Sequence, residues 1–178
     1  MFPPSSVVVI TGIMAAGKST VAQRLAERLP RAAHVRGDAF RRMIVSDRRE
    51  FTPGEGSEAS AQLWLRYRLS AMVADGYAGA GFTAVVQDVI LGPALLRYLD
   101  LVTTAPRYLV VLAPRPDIVA ARERARVKKG YGDWTVEALD QSLRNETPRI
   151  GLWIDNSAQT ADATVDEILT DISIARIN

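Results

Sequence analysis

One eight-residue pattern near the N-terminus constrains the fold more than any other feature of the chain. Residues 12–19 read GIMAAGKS, which matches the phosphate-binding pattern G-x-x-x-x-G-K-[S/T] in full. The apolar residues 7–10 precede the pattern, and apolar residues at helical spacing follow it. This context matters because the loop must join a buried strand to the start of a helix, whose backbone N–H groups then converge on a phosphate. The sequence therefore predicts a nucleotide-binding α/β protein.

The side chains of this loop have distinct expected roles. Lys18 is expected to reach the β- and γ-phosphates of a nucleotide, and the Ser19 hydroxyl is expected to bind Mg²⁺. The predicted nucleotide-binding residues of the loop are Gly12, Ile13, Met14, Ala15, Ala16, Gly17, Lys18, Ser19 and Thr20.

Composition excludes several other kinds of protein. The chain has no cysteine and a single histidine, His34, which excludes disulfide frameworks, thiol chemistry and multi-histidine metal sites. The formal net charge of +2 is too small to indicate a nucleic-acid partner. No apolar stretch approaches the roughly 18 residues that span a bilayer, and residues 1–6 lack the basic start of a secretory signal. We therefore expect a cytoplasmic protein without a membrane partner, and 178 residues favour a single domain over residues 1–178.

Strand-like and helix-like segments alternate along the chain, which predicts a parallel sheet flanked by helices. The predicted strands cover residues 7–11, 32–36, 82–89, 108–113 and 150–154. The predicted helices cover residues 18–29, 38–44, 57–75, 93–102, a segment from 116, residues 135–146, and a last helix that begins at the capping-box pattern of residues 164–167. In the long helix, Leu65, Leu69, Met72 and Val73 form the predicted apolar stripe. Residues 46–56 are expected to form a mobile loop.

Ligands of such sheets bind at the carboxyl ends of the strands, so polar residues just after each strand are candidates. Asp38 follows the second strand and is a candidate for the base that accepts a substrate hydroxyl proton; the alternative is that it caps the next helix. Asp88 ends the third strand, where it would hold Mg²⁺ together with Ser19 or contact the substrate, unless it is a solvent-facing loop residue. Gln87 is a weaker candidate, because neighbouring residues of a strand point to opposite faces.

A basic segment follows the fourth strand. Arg122 and Arg126 lie four residues apart and would share one face of a helix, so both would bind the same phosphate chain. This predicts a lid over residues 122–133, the alternative being a solvated basic helix face. Asn156 follows the fifth strand and is expected at the adenine edge.

The remaining site candidates lie in the region 38–75, which is expected to bind the acceptor. Arg41 and Arg42 would orient the substrate there, although one of them is expected to lie only at the surface. Trp64 would line the acceptor pocket, whereas Trp134 and Trp153 are expected to be structural. His34 is expected to contribute packing rather than catalysis.

Taken in order, the segments GIMAAGKST, RGDAFRR, VVQDVILG, RERAR and WIDNS resemble the group of small P-loop kinases that contains chloramphenicol phosphotransferase, adenylylsulfate kinase, gluconate kinase and shikimate kinase. The resemblance implies a five-stranded parallel sheet of order 2-3-1-4-5 with a short lid. It also implies transfer of the γ-phosphate of Mg-ATP to a hydroxyl of a small molecule such as an antibiotic. By the same resemblance Asp38 matches the acceptor-activating aspartate, and the expected catalytic residues are Lys18, Asp38, Arg122 and Arg126.

Departures from the group leave the acceptor open. Arg36-Gly37-Asp38 stands where adenylylsulfate kinases carry Asp-Gly-Asp, and residues 46–64 match no acceptor signature. A nucleotide or nucleoside kinase is one alternative, but the Asp-Gly-Phe-Pro-Arg stretch of adenylate kinases is absent. A GTP-dependent switch is another, but its Asn-Lys-x-Asp tetrad is absent. A non-catalytic ATP-binding module stays open, and the oligomeric state is not predicted.

Overall fold

The computed structural model describes residues 1–52, 56–125 and 133–178, and in these ranges strands and helices alternate as predicted. The strands are β1 (Val7–Gly12), β2 (Ala32–Arg36), β3 (Thr83–Gln87), β4 (Arg107–Leu112) and β5 (Leu152–Ile154). The helices are α1 (Lys18–Arg28), α2 (Gly37–Arg42), α3 (Ser57–Gly79), α4 (Ala94–Leu101), α5 (Pro116–Ala125), α6 (Val136–Gln141), α7 (Ala161–Thr170) and α8 (Ile172–Ala175), and a π-helical turn covers Ser142–Glu146. No helix of the described ranges has the length and apolar character needed to cross a bilayer.

The five strands form one parallel sheet of order β2-β3-β1-β4-β5, which confirms the order implied by the resemblance. β1 lies at the centre, where Val7 pairs with Ala84 of β3 on one side and with Arg107 of β4 on the other. All six residues of β1 are buried, as expected for a strand that helices cover on both faces. The carboxyl ends of the strands therefore meet at one edge of the sheet.

The long helix α3 buries only part of the predicted apolar stripe: Leu69 and Val73 are half-buried, and Val73 packs against the core. Leu65 and Met72, two residues of the predicted apolar stripe, are 38% and 68% exposed. The buried residues are Ala59, Tyr67, Ser70, Ala71, Ala74 and Ala78. Most of them are alanines, whose small side chains let the helix lie close to the sheet. A ranking by hydrophobicity alone therefore misses the alanines that pack closest and includes two exposed residues.

Two helix boundaries also differ from the prediction. α7 begins at Ala161, because the Thr160 side chain accepts a hydrogen bond from the Ala163 N–H (3.1 Å) and caps the helix one turn before the expected start. Thr164, the predicted cap, is buried and donates to the Thr160 carbonyl (3.0 Å). The helix predicted over residues 135–146 is capped by Thr135 but changes to the π-helical turn at Ser142.

Candidate active site

A cavity of about 1050 Å³ opens at the carboxyl edge of the sheet. Its phosphate-binding side, called here the loop half, is formed by residues from 12–20. The rest, called the α3 half, is formed by lining residues from 38–52, 59–67, 87–94 and 133–146. Of the predicted site residues, those that line the cavity are Met14, Ala15, Gly17, Lys18, Ser19, Thr20, Asp38, Arg41, Trp64 and Asp88.

The backbone of the loop half explains why the sequence pattern requires its glycines. Gly12 has φ +147°, and a Cβ at this position would lie 2.4 Å from the Leu112 carbonyl oxygen of the neighbouring strand. Gly17, at φ +99°, is the N-cap of α1, and Ala15 also has a positive φ. Turns of this kind, placed before a helix N-terminus, form a concave nest of N–H groups that suits a phosphate.

Side chains from three other segments hold the loop in place. The Thr11 hydroxyl donates to the Ile90 carbonyl (2.9 Å) and accepts from the Ile90 N–H (3.0 Å). The Asn156 amide donates to the Ala16 carbonyl (2.9 Å), and the Arg122 guanidinium donates to the Asn156 carbonyl (2.8 Å). The loop and the end of β1 are therefore braced from the segment after β3, from α5 and from the segment after β5.

These contacts show where two of the residues predicted to bind the nucleotide lie. Asn156 is buried under the loop and is not among the cavity-lining residues, so its side chain supports the loop, and a contact with adenine stays a prediction. Arg122 also lies beside the loop, 3.4 Å from the Ala16 carbonyl, and its contact with phosphate stays a prediction. Arg126 and residues 126–132 of the predicted lid lie outside the described residues.

The loop half fits a Mg-nucleotide. Lys18 is buried, and its ammonium group donates to the Ile13 carbonyl (2.7 Å), so it lies across the loop that would hold the phosphates. Ser19 lines the cavity beside it. The described residues contain no group of three or more acidic or histidine side chains able to hold a metal alone.

Asp38 lies in the first turn of α2 and faces the cavity. It is not the cap of this helix, because Arg36 occupies the N-cap position and no side chain caps α2; the alternative role is therefore wrong. Arg41 donates to one Asp38 oxygen (3.1 Å), and Arg42 lies 3.4 Å from the other. Burial raises the pKa of Asp38, but the hydrogen bond from Arg41 and the charges of Arg41, Arg42 and Arg66 outweigh it, so the pKa lies below the usual carboxyl value.

The two arginines that follow Asp38 differ in position. Arg41 lines the cavity, as predicted for an acceptor-site residue. Arg42 is exposed and does not line the cavity, because it follows Arg41 on a helix and points in a different direction. The predicted substrate contact of Arg42 is therefore not supported by its position.

The partner of Asp88 is a residue that sequence analysis missed. Arg66 on α3 binds both Asp88 oxygens, with Nε to Oδ2 at 2.7 Å, and the Val89 N–H donates to Oδ1 at 2.7 Å. Asp88 is 2% exposed, so the alternative of a solvent-facing loop residue is wrong. Gly37 makes room for the pair, since a Cβ there would lie 1.9 Å from Asp88 Oδ2. Magnesium binding by Asp88 stays a prediction, and both of its oxygens are engaged by Arg66.

The only hint of Arg66 in the sequence was indirect. Arg66 and Asp88 are 22 residues apart and share no local pattern. A carboxylate at the end of an apolar strand is costly to bury without a cation, so a partner is required, but nothing in the sequence says which arginine supplies it.

Gln87 and Asp88 both line the cavity, contrary to the expectation that one of them would turn away. The alternation of side chains holds only within the strand, and β3 ends at Gln87. The next segment is held by Tyr67, whose hydroxyl donates to the Val89 carbonyl (2.7 Å). Burial raises the pKa of Tyr67 to about 12, so this donor stays protonated at neutral pH.

Four aromatic side chains line the α3 half, namely Phe51, Trp64, Tyr67 and Trp134. The Trp64 ring lies under the Arg97 guanidinium (4.0 Å) and edge-on to Tyr67, so its predicted place at the pocket agrees with the structure. Trp134 also lines the cavity, where it stacks with Phe51 at a centroid distance of 6.1 Å, a position that sequence analysis did not predict; its structural role stays a prediction. Trp153 lies outside the cavity, under the Arg149 guanidinium, as expected for a structural residue.

Comparisons with known proteins agree with this fold. The sequence profile of a family described as an AAA domain matches residues 7–148. Among curated proteins, none matches the chain. A sugar kinase from a Janibacter species has a TM-score of 0.72 and 21% identity, covering 97% of this chain and 96% of that one. A tunicamycin resistance protein from Deinococcus radiodurans has a TM-score of 0.69 and 18% identity, covering 97% and 98%. A gluconokinase from Sinorhizobium meliloti has a TM-score of 0.67 and 17% identity, covering 95% and 92%.

Identities of this size establish the fold and not the substrate. The solved structures nevertheless include kinases of the group that the motifs resemble, which confirms the resemblance. The family match runs from β1 through the π-helical turn, which is most of the chain. The chain therefore belongs to the AAA domain family of P-loop proteins and has the fold of the small P-loop kinases.

Proposed function

We propose that the protein is a phosphotransferase that moves the γ-phosphate of Mg-ATP to a hydroxyl group of a small molecule. One observation carries the proposal: a single cavity contains both the phosphate loop and Asp38, a carboxylate whose pKa lies below its usual value. A nucleotide-binding module without an acceptor would need the loop half alone. The large α3 half, lined by aromatic and charged side chains, supports a second ligand.

The loop half would bind and orient the donor. Its backbone N–H groups and Lys18 would hold the phosphate chain, with the loop already braced by Asn156 and Arg122. When bound at Ser19, Mg²⁺ would neutralise charge on the β- and γ-phosphate oxygens. Arg122, and Arg126 if it lies nearby, would add positive charge as the γ-phosphoryl group leaves ADP.

Asp38 would orient the acceptor hydroxyl and accept its proton. Its lowered pKa keeps it ionised at neutral pH, so it accepts a hydrogen bond from the hydroxyl and leaves that oxygen aimed at the γ-phosphate. Arg41, hydrogen-bonded to Asp38, would fix the direction of the carboxylate. The aromatic side chains of the α3 half would exclude water that otherwise competes as the acceptor.

We further infer that residues 1–178 act as one kinase domain. A small hydroxyl compound, for example an antibiotic, remains the proposed acceptor class, and a nucleoside or nucleotide is the alternative. The tunicamycin resistance protein and the sugar kinase named above support the first class by fold alone.

An acceptor screen tests the proposal. Purified protein with Mg-ATP is incubated with sugars, antibiotics, nucleosides and other small alcohols, and phosphorylated products are detected by mass spectrometry. Lys18→Ala is expected to lower transfer by about 10²–10³-fold, the usual cost of removing one transition-state charge contact. Arg28→Ala is the matched control, because it removes an exposed cation from the same helix outside the cavity. Wild-type protein that binds ATP but phosphorylates no acceptor would contradict the proposal, as would unchanged transfer by Lys18→Ala.

A further inference from the structure

The arginines of the α3 half are already matched by carboxylates. Each one that lines the cavity makes an ion pair with an acidic side chain of the described chain. The pairs are Arg66 with Asp88, Arg41 with Asp38 and Glu50, and Arg49 with Asp47. Among the arginines of the α3 half that the structure describes, an anionic acceptor would therefore have to take a guanidinium from one of these carboxylates. For Arg66 this would leave the buried Asp88 without its partner, which is strongly unfavourable.

One polar side chain that lines the cavity at the end of β3 is uncharged. Gln87 is only 6% exposed and lines the cavity, yet its side-chain amide makes no hydrogen bond to any residue that the structure describes. It pairs in register with Ile10 of β1 and Arg36 of β2, so it lies between the strand that enters the phosphate loop and the strand that precedes Asp38. The amide opens to the cavity, where it offers a donor and an acceptor to a ligand.

A second polar group of the α3 half is anionic. Glu146, in the π-helical turn, accepts a hydrogen bond from the Ser142 hydroxyl (2.8 Å), and both side chains line the cavity. Glu146 forms no ion pair within the ranges 1–52, 56–125 and 133–178. A carboxylate only accepts hydrogen bonds, so it favours ligand O–H or N–H groups and repels anions. π-helical turns of this kind occur frequently at functional sites.

The aromatic walls offer apolar faces. The Trp134 indole N–H already donates to the Phe51 carbonyl (3.0 Å), so its ring contributes only a surface. Trp64 presents a similar surface from α3. Such rings pack against the C–H faces of sugars and against other apolar groups.

We propose that the acceptor is a hydroxyl compound without an anionic group, either uncharged or bearing an ammonium group. Its reacting hydroxyl lies against Gln87 and Asp38, its apolar face packs on Trp64 and Trp134, and a further O–H or N–H group binds Glu146. This proposal rests on the proposed function and narrows its substrate class.

Acceptors that differ only in charge test the proposal that the site excludes anionic groups. Each acceptor found in the screen is compared with relatives that differ in one group, as glucose, glucosamine and gluconate do. The neutral or ammonium member is expected to have a kcat/KM at least about tenfold above that of the carboxylate member, because like charges repel across the cavity. A preference for the carboxylate member would overturn the proposal while leaving the phosphotransferase function intact. Absence of transfer to every compound, with ATP still bound, would instead contradict the proposed function and remove the basis of this inference.

Two variants test the proposed contacts of Gln87 and Glu146 with the acceptor. Gln87→Leu is expected to lower kcat/KM for the acceptor about tenfold, the usual effect of one lost hydrogen bond at a reacting group, with KM for ATP unchanged. Its Tm is expected to change little, because the amide that is replaced makes no hydrogen bond to any residue that the structure describes. Glu146→Gln is expected to reduce the ratio of kcat/KM for the ammonium member to that for the neutral member, and Glu137→Gln, outside the cavity, should leave it unchanged. Wild-type efficiency in Gln87→Leu, or an unchanged ratio in Glu146→Gln, would overturn the assignment.

Discussion

The two halves of the cavity are built by different means. The loop half is one continuous segment whose shape depends on backbone conformation, with positive φ at Gly12, Ala15 and Gly17. The α3 half collects side chains from four separate stretches of the chain, and its charges are arranged as ion pairs. The first half suits any phosphate chain, because every phosphate accepts hydrogen bonds from N–H groups. The surface of the second half depends on the identity and position of each side chain, so under the proposed function this half would decide which acceptor binds.

This difference predicts where substitutions will act. Changes in the loop half should affect ATP binding whatever the acceptor, whereas changes in the α3 half should affect the acceptor and leave ATP binding intact. The predictions below test that division, from the largest expected effect to the smallest.

The Arg66–Asp88 pair is expected to be the most sensitive point of the α3 half. Arg66→Met should lower the free energy of unfolding by about 3–5 kcal/mol, because it leaves a buried carboxylate without a cation. The double variant Arg66→Met/Asp88→Leu should recover much of this loss. Urea unfolding of both single variants and the double variant gives the coupling free energy. Additive losses, with no coupling, would show that the pair does not act as a unit.

A smaller loss is expected in the loop half from Gly12→Ala. The new Cβ would meet the Leu112 carbonyl oxygen at 2.4 Å in a backbone conformation that alanine rarely adopts. We expect the free energy of unfolding to fall by about 1–3 kcal/mol and the thermal stabilisation by ATP to disappear. Gly76→Ala is the control, since a Cβ on that exposed helical glycine meets nothing within 4 Å. It should stabilise the protein by up to about 1 kcal/mol. Retained ATP binding in Gly12→Ala would contradict the backbone account of this half.

Arg41→Met should change the pH dependence of transfer without changing ATP affinity. Burial raises the pKa of Asp38 and Arg41 lowers it, so removing Arg41 shifts that pKa upward. Asp38 must be ionised to accept a proton, so the acidic limb of the kcat/KM profile should move to higher pH. Arg48→Met is the control, because Arg48 is an exposed arginine that does not line the cavity. An unmoved limb would mean that a group other than Asp38 limits the reaction at low pH.

The smallest effect is expected outside both halves, at His34. Burial and the charge of Arg36 lower the pKa of His34 to about 4, below the usual 6.5. His34 therefore binds a proton more tightly in the unfolded chain than in the folded protein. The stability due to neutral His34 is fully present above pH 6.5 and is lost as the pH falls from 6.5 towards 4. His34→Gln should lose less stability over that interval, as measured by thermal unfolding, with transfer unaffected at neutral pH. An equal loss of stability in the wild type and in His34→Gln would show that His34 is not the group responsible.

The same division explains what could be predicted from the sequence. The loop, the strand order and the position of Asp38 follow from a local motif, an alternation of elements and a resemblance, each of which is visible in contiguous residues. The Arg66–Asp88 pair and the cavity position of Trp134 depend on contacts between segments far apart in the chain. The apolar stripe of α3 was predicted correctly only in part, because helix packing there depends on side-chain size as well as on hydrophobicity.

The most direct test of the account separates donor binding from transfer at Asp38. Thermal stabilisation by Mg-ATP and formation of phosphorylated acceptor are measured for the wild type, Asp38→Asn and the control Asp47→Asn, an exposed residue outside the cavity. We predict that Asp38→Asn keeps the ATP-induced shift in Tm and loses transfer by about 10²–10⁴-fold, the usual contribution of a general base. Asp47→Asn should match the wild type in both. Wild-type transfer by Asp38→Asn would contradict the claim that one cavity joins an ATP site to an acceptor-activating carboxylate.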